Sequence, residues 1–207
     1  GEEEEEEEEE EVEEKEEEKA WGGMGAAQKK ARHLAHAGRS DDVRAALNRT
    51  AEIARNSPIS IVGFSMGANL VLKMLGETQA PLPTTLDSAL AVAPPIDLAH
   101  CCRELDKGLN RIYSRVFTRM LLRLVKERAD IIDRVPDVLT SPPRGLWEFD
   151  ERITSRLSGY SGAEDYYTQS SAARVLAKIE LIKVRYKRLK RRAARWRQSA
   201  IHAEDST

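Results

Sequence analysis

Cysteine and histidine are scarce in this chain, with two and four residues respectively among 207. Cys101 and Cys102 are adjacent, and neighbouring cysteines rarely pair, so we expect no disulfide framework and a reducing compartment. No cluster has the spacing of metal ligands, and no glycine-rich loop carries the lysine of a phosphate-binding motif. The sequence therefore argues against disulfide-rich, metal-centred and nucleotide-hydrolysing proteins.

The sequence also lacks a long apolar run. No stretch approaches the ~18 residues that a membrane-spanning helix needs. The N-terminus is acidic, whereas a signal peptide starts basic and continues apolar. Aromatic residues make up 5% of the chain and charged residues 33%. We therefore expect a soluble, cytoplasmic protein, and its oligomeric state stays open.

Charge is abundant and segregated, although the formal net charge is only −2. Residues 2–19 hold fifteen Glu and two Lys, whereas residues 178–198 hold ten Lys or Arg and one Glu. We predict a disordered acidic tail over residues 1–20, because its like charges repel and it has almost nothing to bury. The basic segment is predicted to be helical and either binds an anionic partner or is a solvated tail. No nucleic-acid motif accompanies it, so we expect no specific nucleic acid and leave weak membrane-surface association open.

The motif Gly63-Phe64-Ser65-Met66-Gly67 carries the clearest chemical information. It lies between the apolar run at 59–62 and a helical pattern at 67–76, which is the setting of a nucleophile elbow. A serine at so sharp a turn adopts a strained backbone, and the two glycines are expected to remove side chains that would collide. The turn would expose the Ser65 hydroxyl as a nucleophile and aim the Met66 N–H at an oxyanion. The alternative is a tight turn whose serine only caps the helix.

The rest of the pattern predicts alternating helices and strands, and hence a parallel sheet. A second strand is predicted at 86–92. Helices are predicted at 41–56, with Asp41 as its cap, from Asp97 onward, and as a long amphipathic stretch at 109–134. Asp97 could be an alternative catalytic acid, but a helix cap is the favoured interpretation.

Several separated blocks in this order resemble the YheT-like group of α/β-hydrolases, which is related to the abhydrolase-domain lipases of eukaryotes. They are ARHLAHAGRSDDVRAAL, GFSMGANLVLKMLGE, AVAPPIDLAHCCRELDKGLNRIYSRVFTRML and LWEFDERITSRLSGYSGAEDYYTQSSA. The resemblance covers residues 24–179. It implies an α/β fold with a mainly parallel sheet, flanking helices and a helical cap at about 97–170 within a domain at 21–179. It also implies an esterase for short- or medium-chain acyl esters or lipids, with a Ser–Asp–His triad and no cofactor.

The two ends depart from that family pattern. The family's early strands with a His-Gly loop and its late Gly-Gly-His turn have no counterpart here, and residues 180–207 form a divergent basic segment. We therefore expect a hydrolase fold that is incomplete at both ends. The leading function is ester hydrolysis through Ser65, with activity in question. The alternative is an inactive fragment that binds partners through its charged tails.

The acid and base of a triad are not identifiable from the sequence. Each histidine fits a surface, tail or non-catalytic family position better than that of the base: His33, His36, His100 and His202. The residues around Asp205 have only a weak resemblance to the family's turn that carries the acid of the triad. Asn69, on the elbow helix, is expected to form local backbone hydrogen bonds.

Overall fold

The computed structural model describes residues 34–77, 81–179 and 183–187. Within them one or more α-helices separate each strand from the next along the chain. Numbered in chain order, they are α1 (Ser40–Ile53), β1 (Ile59–Phe64), α2 (Met66–Gly76), β2 (Leu86–Val92), α3 (Leu98–Leu105), α4 (Arg111–Lys126), α5 (Ala129–Ile132), α6 (Asp137–Thr140), α7 (Leu146–Phe149), α8 (Ser155–Ser158), α9 (Ala163–Ser170) and β3 (Lys183–Lys187). A π-helical turn, Asp150–Thr154, joins α7 to α8.

The three described strands form one parallel sheet in the order β1–β2–β3. Residues 60–64 of β1 pair in register with residues 88–92 of β2, and β2 pairs with the whole of β3. Helix α2 connects the first two strands, and the helices from α3 to α9 connect the second to the third. The predicted α/β fold with a mainly parallel sheet is confirmed.

The core against the sheet forms where α2 packs on β1 and β2. α2 buries residues on nearly every side, which fits its strongly apolar sequence. Val71, Met74 and Leu75 contact Leu47 of α1 and Ala89 of β2. α2 is thereby fixed between the sheet and α1, and its first turn is held at the carboxyl end of β1.

The helical region between β2 and β3 has its own core. Leu122 and Val125 of α4 pack against Phe149 and Ile153. The long amphipathic helix predicted at 109–134 is interrupted, because α4 ends at Lys126 and α5 starts only at Ala129. Arg128 between them has an extended backbone. No glycine or proline marks this break, so the apolar pattern continues across it.

The C-terminal basic segment differs from its prediction. Residues 183–187 form strand β3, so the helix predicted over 178–198 is wrong there. Val184 and Tyr186 alternate with basic residues, a pattern with period two that favours a strand, and β2 offers an edge for pairing. The rest of that segment beyond 187, and the acidic tail at 1–20, lie outside the described residues.

The helix predicted at 41–56 starts at Ser40 and ends at Ile53. Asp41 lies in the first turn rather than at the cap, where Arg39 stands without a side-chain capping bond. Asp42 instead accepts two hydrogen bonds of 2.6 Å from the Arg39 guanidinium. Among the described helices, none has the length and apolar character to cross a bilayer.

Candidate active site

Ser65 lies at the junction of β1 and α2 with a strained backbone. Its φ of 49° and ψ of −121° belong to a region that residues other than glycine rarely adopt. The Ser65 N–H donates to the Val92 carbonyl at 3.0 Å, and the Ser65 carbonyl accepts from Ala68 and Asn69 N–H. These bonds fix the turn to both the neighbouring strand and the new helix. The serine residue itself is exposed.

The two glycines of the motif have different roles. A Cβ at Gly63 would lie 2.6 Å from the Gly67 carbonyl oxygen and 2.8 Å from Ala68 backbone atoms. Such contacts are well inside van der Waals range, so the predicted steric requirement holds at Gly63. At Gly67 a Cβ would meet nothing within 4 Å among the described residues. The expected collision at Gly67 is therefore wrong.

The surroundings of Ser65 combine hydrogen-bond donors with apolar surface. Met66 opens α2, and the first N–H groups of a helix have no partner within the helix. The positive end of the helix dipole also lies here. Phe64 and Met66, on either side of the serine, are 66% and 40% exposed. The turn thus presents a hydroxyl, backbone N–H groups and apolar side chains together.

Asn69 connects the elbow helix to a distant segment. Its Nδ2 donates to the Ser170 carbonyl at 2.9 Å, and its Oδ1 accepts from the Ala172 N–H at 2.9 Å. The side chain is fully buried. The local bonding predicted for Asn69 is therefore wrong, because its amide pairs with backbone groups about a hundred residues away. We call these two hydrogen bonds, to the Ser170 carbonyl and from the Ala172 N–H, the Asn69 bracket. Because one uses the amide nitrogen and the other the amide oxygen, the position requires an asparagine-like side chain.

The same distant segment also contacts the loop after β2. The Ser171 Oγ accepts from the Leu98 N–H at 3.0 Å and donates to the Tyr167 carbonyl at 2.6 Å. The Ala173 N–H donates to the Ile96 carbonyl at 3.0 Å. Three stretches of chain thus converge at the carboxyl end of the sheet. In parallel α/β sheets this end is where ligands bind.

Asp97 acts as a helix cap. Its Oδ1 accepts from the His100 N–H at 2.9 Å at the start of α3. The cap interpretation of Asp97 is confirmed.

Neither described histidine forms a hydrogen bond with the Ser65 hydroxyl. The His36 Nδ1 accepts from the Gly38 N–H at 3.1 Å, and its ring lies edge-on against Tyr160 and Tyr166. His100 is exposed on α3. Within the described ranges, no side chain forms a hydrogen bond with the Ser65 hydroxyl. His33, His202 and Asp205 lie outside those ranges.

A buried polar network, not anticipated from the sequence, occupies the helical region. Asp150 accepts hydrogen bonds of 2.6 Å from both the Thr154 and Tyr167 hydroxyls. The Tyr167 hydroxyl oxygen also lies 3.1 Å from the Cys102 Sγ. Burial raises the pKa of the Asp150 carboxyl to about 6, against the two hydrogen bonds, which lower it. Burial also raises the pKa of the Cys102 thiol to about 12.

No signal in the sequence sets Asp150 apart, because Glu148, Glu151 and Arg152 beside it are also charged. In the structure Asp150 opens the π-helical turn, a rare feature that is frequent at functional sites. Within the described part of the chain, no group of three His, Cys, Asp or Glu side chains comes together as a metal site would require. Both cysteines are free thiols.

The sheet and the strained serine turn agree with the related sequences, which support an α/β-hydrolase family related to the eukaryotic abhydrolase-domain proteins. It is 29% identical over 160 residues to the Escherichia coli protein "Putative esterase YheT", covering 76% of this chain and 46% of that protein. It is 28% identical to the monoacylglycerol lipase of Saccharomyces cerevisiae, covering 67% of this chain and 32% of the yeast protein. It is 24% identical to phospholipase ABHD3 of Mus musculus, covering 68% of this chain and 34% of the mouse protein.

The chain thus spans less than half the length of these curated relatives. No protein-family model matches it, and no solved structure does so at a significant level. The names of these relatives are those of an esterase, a monoacylglycerol lipase and a phospholipase. The resemblance to the YheT-like group that the sequence blocks indicate is confirmed.

Proposed function

We propose that the chain is a serine hydrolase of carboxylic esters, with Ser65 as the nucleophile. The observation that carries the proposal is the backbone of Ser65, whose φ of 49° occurs at an exposed serine between a parallel strand and a helix. Strain of this kind is retained where a function requires it. A serine that served only as a helix cap would accept a bond from the first helical turn. Ser65 forms no such side-chain bond.

The chemistry follows from this geometry. The Ser65 Oγ attacks the ester carbonyl carbon, the hydroxyl proton passes to a base, and the alcohol leaves with a proton. The carbonyl oxygen gains negative charge, which the Met66 N–H at the helix start stabilises. Water then releases the acid from the acyl-enzyme. The base and its acid partner are assigned to none of the described residues.

The substrate is proposed to be an acyl ester or lipid of short or medium chain length. The exposed Phe64 and Met66 offer apolar surface beside the hydroxyl, which suits an acyl chain. We propose that residues 97–170 form a cap over this site, within a hydrolase domain at 21–179. The Asn69 bracket supports this arrangement because it joins the elbow helix to the end of α9.

The test is hydrolysis of p-nitrophenyl esters of increasing acyl length by the full chain. We expect the short and medium esters to be hydrolysed fastest. Ser65→Ala should lower the rate on the order of 10⁴-fold. Ser57→Ala, a change of the same size at an exposed position eight residues earlier, should leave the rate unchanged. Equal rates for Ser65→Ala and the unchanged chain would refute the assignment.

A second candidate is an inactive relative that binds partners through its charged ends. It is favoured by one observation, that no described side chain hydrogen-bonds to the Ser65 hydroxyl. Folded protein without ester hydrolysis, but with salt-dependent binding of a charged polymer, would support this candidate.

A further inference from the structure

Helix α4 carries apolar side chains on its outer face. Leu109, just before the helix, and Ile112, Tyr113, Val116 and Phe117 are between 40% and 85% exposed. The spacing of three and four residues places most of them on one side. Exposed apolar side chains that are contiguous, rather than scattered singly, are unusual on a protein surface and mark interaction sites.

A row of basic residues runs beside this apolar face. Arg111, Arg115, Arg119 and Arg123 follow at intervals of four, so that they line one side of α4. From Lys107 to Lys126 the chain has six basic residues and no acidic one. The first three arginines of the row are exposed. The outer surface of α4 is therefore both apolar and strongly positive.

The inner face of α4 is fixed independently of these residues. Ser114, Thr118, Leu122 and Val125 are buried. The Ser114 Oγ donates to the Asp106 Oδ1 at 2.6 Å and accepts from the Leu146 N–H at 3.1 Å. Since the fully buried side chains of this helix lie on this face within the described residues, the exposed outer residues can be changed without removing those side chains from the core.

We propose that the outer face of α4 docks on the surface of an anionic lipid bilayer. An amphipathic helix with basic residues flanking apolar ones lies in the bilayer interface, with its apolar side chains among the acyl chains and its cations on the lipid phosphates. The positive charge of the outer face of α4 would also attract the chain's own acidic segment at residues 2–19. That segment has a single apolar residue, Val12, between residues 2 and 19, so it cannot cover the apolar face.

The test is flotation of the full chain with vesicles, either of phosphatidylcholine alone or of phosphatidylcholine mixed with phosphatidylglycerol. We expect binding to the mixed vesicles that weakens as salt is added. Arg115→Gln with Arg119→Gln should weaken it about thirtyfold, because each cation near an anionic surface contributes about a factor of five. Ile112→Ser with Val116→Ser should also weaken it.

Matched controls lie on α1 and just after its end. Arg49→Gln with Arg55→Gln removes the same charge from another exposed surface, and Ile53→Ser removes an exposed apolar side chain. Both should bind vesicles like the unchanged chain, and so should Ser65→Ala, because docking does not depend on the proposed hydrolysis.

Three results would overturn the proposal. The first is unchanged binding by both α4 double variants, which would assign binding to the basic C-terminal segment. The second is equal binding to neutral vesicles. The third is that the unchanged chain does not bind vesicles but forms a dimer, and that the double variant Ile112→Ser, Val116→Ser is a monomer. This result would make the outer face of α4 a contact between two copies of the chain.

Discussion

The Asn69 bracket gives the sharpest prediction about stability. Asn69→Ala removes both hydrogen bonds and leaves the Ser170 carbonyl and the Ala172 N–H buried without this partner. Each buried polar group without a partner costs about 2 kcal/mol. Alanine regains about 0.5 kcal/mol through its better helix propensity. The net loss in the free energy of unfolding is thus roughly 3–4 kcal/mol.

Urea unfolding followed by circular dichroism measures this loss. With an m-value of about 2 kcal/mol/M, the midpoint should fall by roughly 1.5–2 M. The control is Asn48→Ala, the same chemical change at an exposed helical position, which should leave the midpoint within about 0.3 M. If the midpoint of Asn69→Ala also lies within about 0.3 M of that of the unchanged chain, the two hydrogen bonds of Asn69 do not stabilise the fold as we infer.

Three further predictions concern the motif glycines, the buried acid and the thiols. Gly63→Ala should lower the free energy of unfolding by about 1–3 kcal/mol, because its Cβ meets backbone, whereas Gly67→Ala should be neutral or stabilising in the same urea titration. The pKa of the Asp150 carboxyl is higher in the folded chain than in the unfolded chain, so the carboxyl loses its proton less readily when folded. Its ionisation therefore lowers the free energy of unfolding as pH rises from about 4 to about 6. Asp150→Asn should therefore gain stability over the unchanged chain across that range, by about 3 kcal/mol above it; parallel pH–stability curves would contradict this. Burial raises the pKa of the Cys101 and Cys102 thiols to about 12, so iodoacetamide at pH 8 should alkylate them far more slowly in the folded than in the urea-unfolded chain.

The elements around Ser65 were predictable because their signals are local. The second strand, 86–92, has the predicted bounds, and the first strand and the elbow helix differ from prediction by one or two residues. Apolar runs with β-branched residues, and glycines at the turn, act within a few residues of chain. The cap at Asp97 is local in the same sense.

Two of the failures, those at Asn69 and at residues 183–187, depend on distant contacts, and the third concerns the local turn at Gly67. Asn69 could be placed on its helix, but its partners lie near residue 170 and no local pattern indicates them. The steric role of Gly67 was inferred from the motif, whereas only Gly63 faces backbone in the folded turn. The strand at 183–187 depends on the free edge of β2, which outweighs the helix propensity of its lysines and arginines.

A fluorophosphonate probe measures whether Ser65 is an activated nucleophile. An activated serine oxygen forms a bond to phosphorus and fluoride leaves, which marks the peptide that contains it. We expect a labelled peptide with Ser65 in the full chain and in Ser57→Ala, and none in Ser65→Ala. Folded protein that takes no label, or label that persists in Ser65→Ala, would contradict this expectation.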